Sequence, residues 1–249
     1  MKLNGNRGKH NLGLKVVRWA RVVTARRRAP GSDRALATIL AGIAGCANAG
    51  GFVLLGSYTS HMTGYLSQLA DQIVLRNIHL VVLSVMAILL FVLGAASSAF
   101  IINWARYSCP RRQYSLPIGI QGLLFFGLAL IGGSGLGGSL SSLLCLAILS
   151  FIMGFQNATI TKISGARIRT THATGMITDV GIEVGKSMFG QTFTHSLIHG
   201  DRHKLAVLLQ LLLVFLIGGI VGAFGYGMFA FYFSLPLATI LILLALLQG

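Results

Sequence analysis

The chain reads as an all-α membrane protein of six transmembrane helices, arranged as two inverted three-span repeats. Each repeat carries an amphipathic segment that is either interfacial or re-entrant. Three observations predict this. The first is composition: 249 residues are 54% hydrophobic and only 10% charged, with mean hydropathy +0.77, where a soluble domain carries roughly 25% charge. The second is a set of long, uninterrupted apolar runs. The third is a polar octet that occurs twice.

The apolar runs lie near Ala35–Gly56, Ile78–Trp104, Tyr114–Gly133, Leu140–Ile163, Leu205–Gly227 and Met228–Leu247. About 20 apolar residues in a helix cross the hydrocarbon core. Lipid offers the backbone no partners, so a spanning segment is a helix or part of a closed barrel. The runs are continuous rather than alternating, which selects helices. Residues 1–34 form a basic tail, 35–133 a first three-span unit and 134–249 a second.

Charge sets the orientation. Ten of the 20 Lys and Arg precede the first run. Arg106, Arg111 and Arg112 follow the second, and six more, from Lys162 to Lys204, lie at or after the end of the fourth. With the tail inside, only Arg76 falls outside, so both termini are expected in the cytoplasm. The tail is suited to anionic lipid headgroups, at about 1 kcal/mol per basic residue. Charge alone would also permit nucleic-acid binding, but no motif supports it. Cys46, Cys109 and Cys145 are scattered, without disulfide or metal spacing.

The octets are Ser60–Ser67 (SHMTGYLS) and Thr171–Thr178 (THATGMIT). Upstream of each stands G-x-x-N-A: Gly45 with Asn48, and Gly154 with Asn157. Downstream, Leu89–Phe100 (LLFVLGAASSAF) parallels Leu213–Phe224 (LVFLIGGIVGAF), and Leu116-Pro117 parallels Leu235-Pro236. Order is the same in both halves, which points to duplication. A unit of three spans enters the membrane upside down the second time, a plan of secondary transporters.

At helical spacing, Ser60, Thr63, Gly64, Ser67, Gln68 and Asp71 make one polar face. Thr171, Thr174, Gly175, Thr178, Asp179, Glu183 and Lys186 make another. Asp179 and Glu183 form an unfavourable like-charge pair, which Lys186 is placed to offset. These faces either lie on the membrane surface or line a cavity. Making them full spans would carry six basic residues outside, against the charge rule. His61 and His172 are candidates for proton relay, or for neutral hydrogen bonding. Asn48 and Asn157 either join helices or line the site. Gly42, Gly45, Gly50 and Gly51 fit close helix packing. His195, His199 and His203 have a spacing a metal would accept, but Gly200 and Asp201 interrupt it, and the segment reads as a solvated loop. No GxSxG, HExxH or Walker A loop is present, so no enzyme, cofactor or metal centre is expected.

GCANAGGF, SHMTGYLS, GFQNA and RTTHATGMIT together resemble the YoaK-like family of bacterial inner-membrane proteins of unknown function, over roughly residues 35–247. The resemblance implies six spans and a bacterial inner membrane, and supplies no substrate. Asn48 stands where that family usually has an acid, and Tyr65 where it usually has Asn. Coupling through the acid's charge is then not available to Asn48.

The reading is a small secondary transporter or permease for a small polar or anionic solute. Its pathway residues are Asn48, Ser60, His61, Thr63, Gly64, Ser67, Gln68 and Asp71, with Asn157, Thr171, His172, Thr174, Gly175, Thr178, Asp179 and Glu183. The alternatives are a non-transporting membrane scaffold and, as a variant of transport, a channel.

Overall fold

A computed structural model describes residues 30–134, 139–163, 173–192 and 198–247. Those residues form eight α-helices and two short 3-10 turns, and no strand is found among them. The helices are α1 (Pro30–Leu55), α2 (Met62–Val74), α3 (Ile78–Ser108), α4 (Ser115–Gly133), α5 (Ser139–Ile163), α6 (Ala173–Thr192), α7 (Arg202–Phe229) and α8 (Ser234–Leu246).

Local sequence sets the helix ends. Gly56, at φ 67°, follows α1 and takes the left-handed conformation that stops a helix. Asn77 caps α3 by accepting from the Leu80 N–H, and Asp201 caps α7 by accepting from His203 and Lys204. Pro117 and Pro236 stand in the first turns of α4 and α8, where their missing N–H costs nothing. Ala230, at φ 47°, breaks α7 from α8.

Among the described residues, five segments are long and apolar enough to cross a membrane: Arg34–Leu55, Ile78–Ser108, Ser115–Gly133, Leu140–Ile163 and Arg202–Leu246. The sequence expectation was six. The last two runs follow one another with only the turn Ala230–Phe233 between them, so length and composition alone merge them.

Packing follows a pattern. The most extensive contacts join α1 to α7, α3 to α5, and α4 to α8, while α2 lies on α3 and α6 on α7. Glycine makes the first two seams. A Cβ on Gly45 would collide with the Phe215 carbonyl, and one on Gly154 with the Phe91 carbonyl. A Cβ on Gly94 would meet the Phe151 carbonyl, and one on Gly218 the Gly42 carbonyl. Within the sequence match, Gly45 corresponds to Gly154, Phe215 to Phe91, and Gly218 to Gly94. The two seams are therefore built from corresponding residues at corresponding contacts. Lipid tails are as apolar as Leu, so such close backbone approach, rather than apolar burial, drives helix association in a membrane.

The outward faces correspond too. Leu89, Val92, Leu93 and Phe100 are exposed on α3, and their counterparts Leu213, Leu216, Ile217 and Phe224 are exposed on α7. Apolar exposure on this scale marks a surface that meets something apolar. Helix α5 is the most buried of the apolar segments.

Candidate functional site

The first octet begins before its helix. Helix α2 starts at Met62, so Ser60 and His61 stand outside the helical face expected for them. The reason is Asn48. Its Oδ1, near the end of α1, accepts from the Ser60 N–H at 3.2 Å and from Ser60 Oγ at 2.9 Å. Two bonds to one side-chain oxygen hold the turn in a non-helical conformation. The Phe52 and Tyr58 rings stack at 4.5 Å, which clamps the turn to α1. Gly51 admits it, since a Cβ there would meet Thr59 Cγ2 at 2.8 Å and the Ser57 carbonyl at 2.9 Å.

Gly56, Ser57, Tyr58, His61, Gly64, Tyr65 and Gln68 line a cleft of about 210 Å³ at this turn. Tyr65 is buried, His61 is exposed, and Gln68 is half-buried on the cleft wall. Thr63, Ser67 and Asp71 are exposed on the outer side of α2.

In the second unit, Asn157 is buried on α5. Thr171 and His172 lie outside the described residues, as does His195. Thr174, Gly175 and Thr178 are exposed on α6, and Asp179 is half-buried. Glu183 is the exception on this helix, at 2% exposure. Its Oε1 receives Lys186 Nζ at 3.2 Å and Lys204 Nζ at 3.1 Å, and its Oε2 receives the Asp201 N–H at 3.0 Å. Asp179 stands 4.0 Å from Lys204. Lys186 does offset the acidic pair, but Lys204 and the Asp201 N–H do more, and no local spacing points to either. The Asp201 N–H, then Lys204 and Lys186, hold the Glu183 carboxyl down to about 2 from an ordinary 4.5.

Backbone closeness at the octet glycines is not found. A Cβ on Gly64 would meet the ring of His61, at 2.6 Å from Nδ1, and one on Gly175 would meet nothing within 4 Å. The close approaches lie in the seams instead, at Gly45, Gly94, Gly154 and Gly218.

Two side chains escaped the sequence reading. Gln121 on α4 and Gln156 on α5 are fully buried and bonded to each other. Their signal was available: each is an uncharged amide inside an apolar run. Among the described residues no group of three His, Cys, Asp or Glu is placed to hold a metal ion.

Residues 36–247 match a family described as "Protein of unknown function (DUF1275)". No curated protein matches the chain, and no solved structure does. The match spans all eight helices apart from the start of α1, including both octets and both glycine seams, and it covers the same stretch as the YoaK-like resemblance. The chain belongs to the DUF1275 family.

Proposed function

We propose that the protein is a small permease of six spans in two inverted repeats, in a bacterial inner membrane with both termini in the cytoplasm. Its cargo class is a small polar or anionic solute. The observation that carries this reading is the correspondence of the seams: α1 on α7 repeats α5 on α3, carbonyl for carbonyl. A scaffold needs packing, but not the same packing twice around one axis. Alternating access does need it, because each seam must be able to open as the other closes.

Six spans rather than five follow from length. As one straight helix, Arg202–Leu246 would extend about 67 Å at 1.5 Å per residue, more than twice a hydrocarbon core of about 30 Å. The break at Ala230 divides it into two. In this reading the Asn48–Ser60 turn closes the outer end and the Glu183 cluster the inner end, with Thr63 and Thr174 beside them.

Cysteine labelling in sealed vesicles tests the reading. A Cys replacing Thr63 should react with an impermeant reagent from outside, and one replacing Thr174 from the cytoplasmic side. Reporter fusions within Cys109–Arg112 should read cytoplasm, and fusions within residues 132–138 the outside. Labelling of both cysteines from one side only would rule out the inverted arrangement.

A further inference from the structure

The centre of the bundle holds an oxygen with nothing to bind. Gln121 is fully buried where α1, α4 and α5 meet. Its Nε2 donates to Gln156 Oε1 at 2.6 Å, and Gln156 Nε2 donates to the Leu40 carbonyl at 2.5 Å. This fixes the direction of the chain of amides, because turning Gln121 over would set two oxygens face to face. Gln121 Oε1 is left buried without a partner. A buried acceptor in that state costs about 1–3 kcal/mol, and lipid supplies no water to relieve it. Counted from the helix ends at Arg34, Ser115 and Ile163, Leu40, Gln121 and Gln156 all sit at a depth of about 9–11 Å. The oxygen therefore lies within the bilayer.

The charge inventory narrows what can meet it. The chain has five carboxylates, Asp33, Asp71, Asp179, Glu183 and Asp201, and none falls within the five apolar segments. A cation at Gln121 would lose its hydration without a counter-charge, at a cost one amide oxygen cannot offset. An anion would be repelled by the oxygen itself. What the oxygen lacks is an N–H or O–H donor.

We propose that Gln121 is a solute ligand within the bilayer, about a third of the way in from the end that holds Arg34, and that the solute is small, uncharged and donates an N–H or O–H to Gln121 Oε1. Its movement is uncoupled from protons and cations: the five apolar segments hold no carboxylate, and their histidines, His79 and His203, stand in the first turns of α3 and α7, at the ends of their spans. This rests on the permease reading and narrows its polar-or-anionic solute to an uncharged one.

The test uses the full chain in proteoliposomes and four probes: glycerol and urea as uncharged donors, methylammonium as a cation and acetate as an anion. Glycerol, urea or both should enter faster than into empty vesicles, unaffected by a protonophore, and the two ions should not. Gln121→Met keeps the length and removes the amide. It removes the orphaned oxygen but leaves Gln156 Oε1 without its donor, so thermal unfolding in detergent checks that the variant is folded, and uptake of the uncharged solute by the folded variant should slow by about tenfold. Gln121→Glu covers the case in which that variant does not fold. Its neutral carboxyl retains a donor for Gln156 and a free oxygen, and burial raises its pKa. Uptake by this variant should fall as pH rises and the carboxyl ionises, a profile that a packing role would not produce. Ion uptake without uptake of the uncharged pair, or protonophore-sensitive uptake, overturns this inference and leaves the permease standing. Full activity in Gln121→Met, or a flat pH profile in Gln121→Glu, also overturns it. Entry of none of the four overturns both readings.

Discussion

The two ends of the bundle solve one problem with different chemistry. At the first-octet end, a short amphipathic helix is tied to its neighbours by neutral groups: Asn48 holds Ser60 through two hydrogen bonds. At the second-octet end, a longer amphipathic helix is tied by charge, with Glu183 gathering Lys186, Lys204 and the Asp201 N–H. The seams between the ends are alike to the level of single carbonyls. Asn77 and Asp201 even cap corresponding helices. The difference teaches where geometry binds the sequence. Two helices in backbone contact admit only glycine at the crossing, so the seam cannot drift. A surface helix needs only some tether, and an amide or a carboxylate serves.

The largest effects should come from the seams. Gly45→Leu and Gly154→Leu each drive a side chain into a carbonyl, and each should destabilise by at least about 1–3 kcal/mol, measured as thermal unfolding in detergent. Gly175→Leu, where a Cβ meets open space, is the control and should unfold as wild type does. If Gly45→Leu were harmless and Gly154→Leu severe, the seams would not be equivalent.

The charged tether comes next. Glu183→Gln leaves Lys186 and Lys204 without their acid, and a cysteine at Thr178 should then label severalfold faster as α6 loosens, an expectation for a broken ion cluster. The pH dependence has a definite sign. The folded carboxyl is depressed, to about 2 from 4.5, so its contribution is complete above pH 4.5 and is lost as pH falls toward 2. The thermal unfolding temperature in detergent should thus hold steady above pH 4.5 and fall as pH drops toward 2, and Glu183→Gln should lack that acid loss. Asn48→Ala should leave that acid loss unchanged, because no carboxylate holds the Ser60 turn.

Asn48→Ala should have a smaller effect. It strips two donors of their acceptor, at about 1–3 kcal/mol, and should raise outside labelling of a cysteine at His61. Thr63→Val and Thr174→Val should change stability least, within about 0.5 kcal/mol, since both residues are exposed. A solute pathway through the octets requires both variants to slow uptake nonetheless; full uptake in both would make the octets packing elements.

Much of this was legible in the residues. Continuous apolar runs gave the helices, because only an α-helix hides its backbone in lipid. The duplicated octet and G-x-x-N-A marked the corresponding parts, and Lys186 was visible as a partner for Glu183 at one helical turn. Lys204 was not, because it arrives from another helix through a loop whose path no local pattern encodes. The start of α2 was misplaced by two residues because the Asn48–Ser60 bonds come from a different helix and outweigh the polar periodicity at Ser60 and His61. Gln121 and Gln156 looked like isolated polar residues in separate runs until packing joined them.

The sequence by itself determined that the chain is helical and apolar, where its octets and glycines fall, and that its carboxylates lie outside the apolar segments. Those are properties of single residues and of spacing along one helix. Only the tertiary structure decided that Gly45 and Gly154 meet corresponding carbonyls, that Lys204 reaches Glu183, and that one amide oxygen of Gln121 is left without a donor. Each of these depends on the approach of helices distant in sequence, and a hydrogen bond or a backbone contact exists only within a few tenths of an ångström of its proper distance.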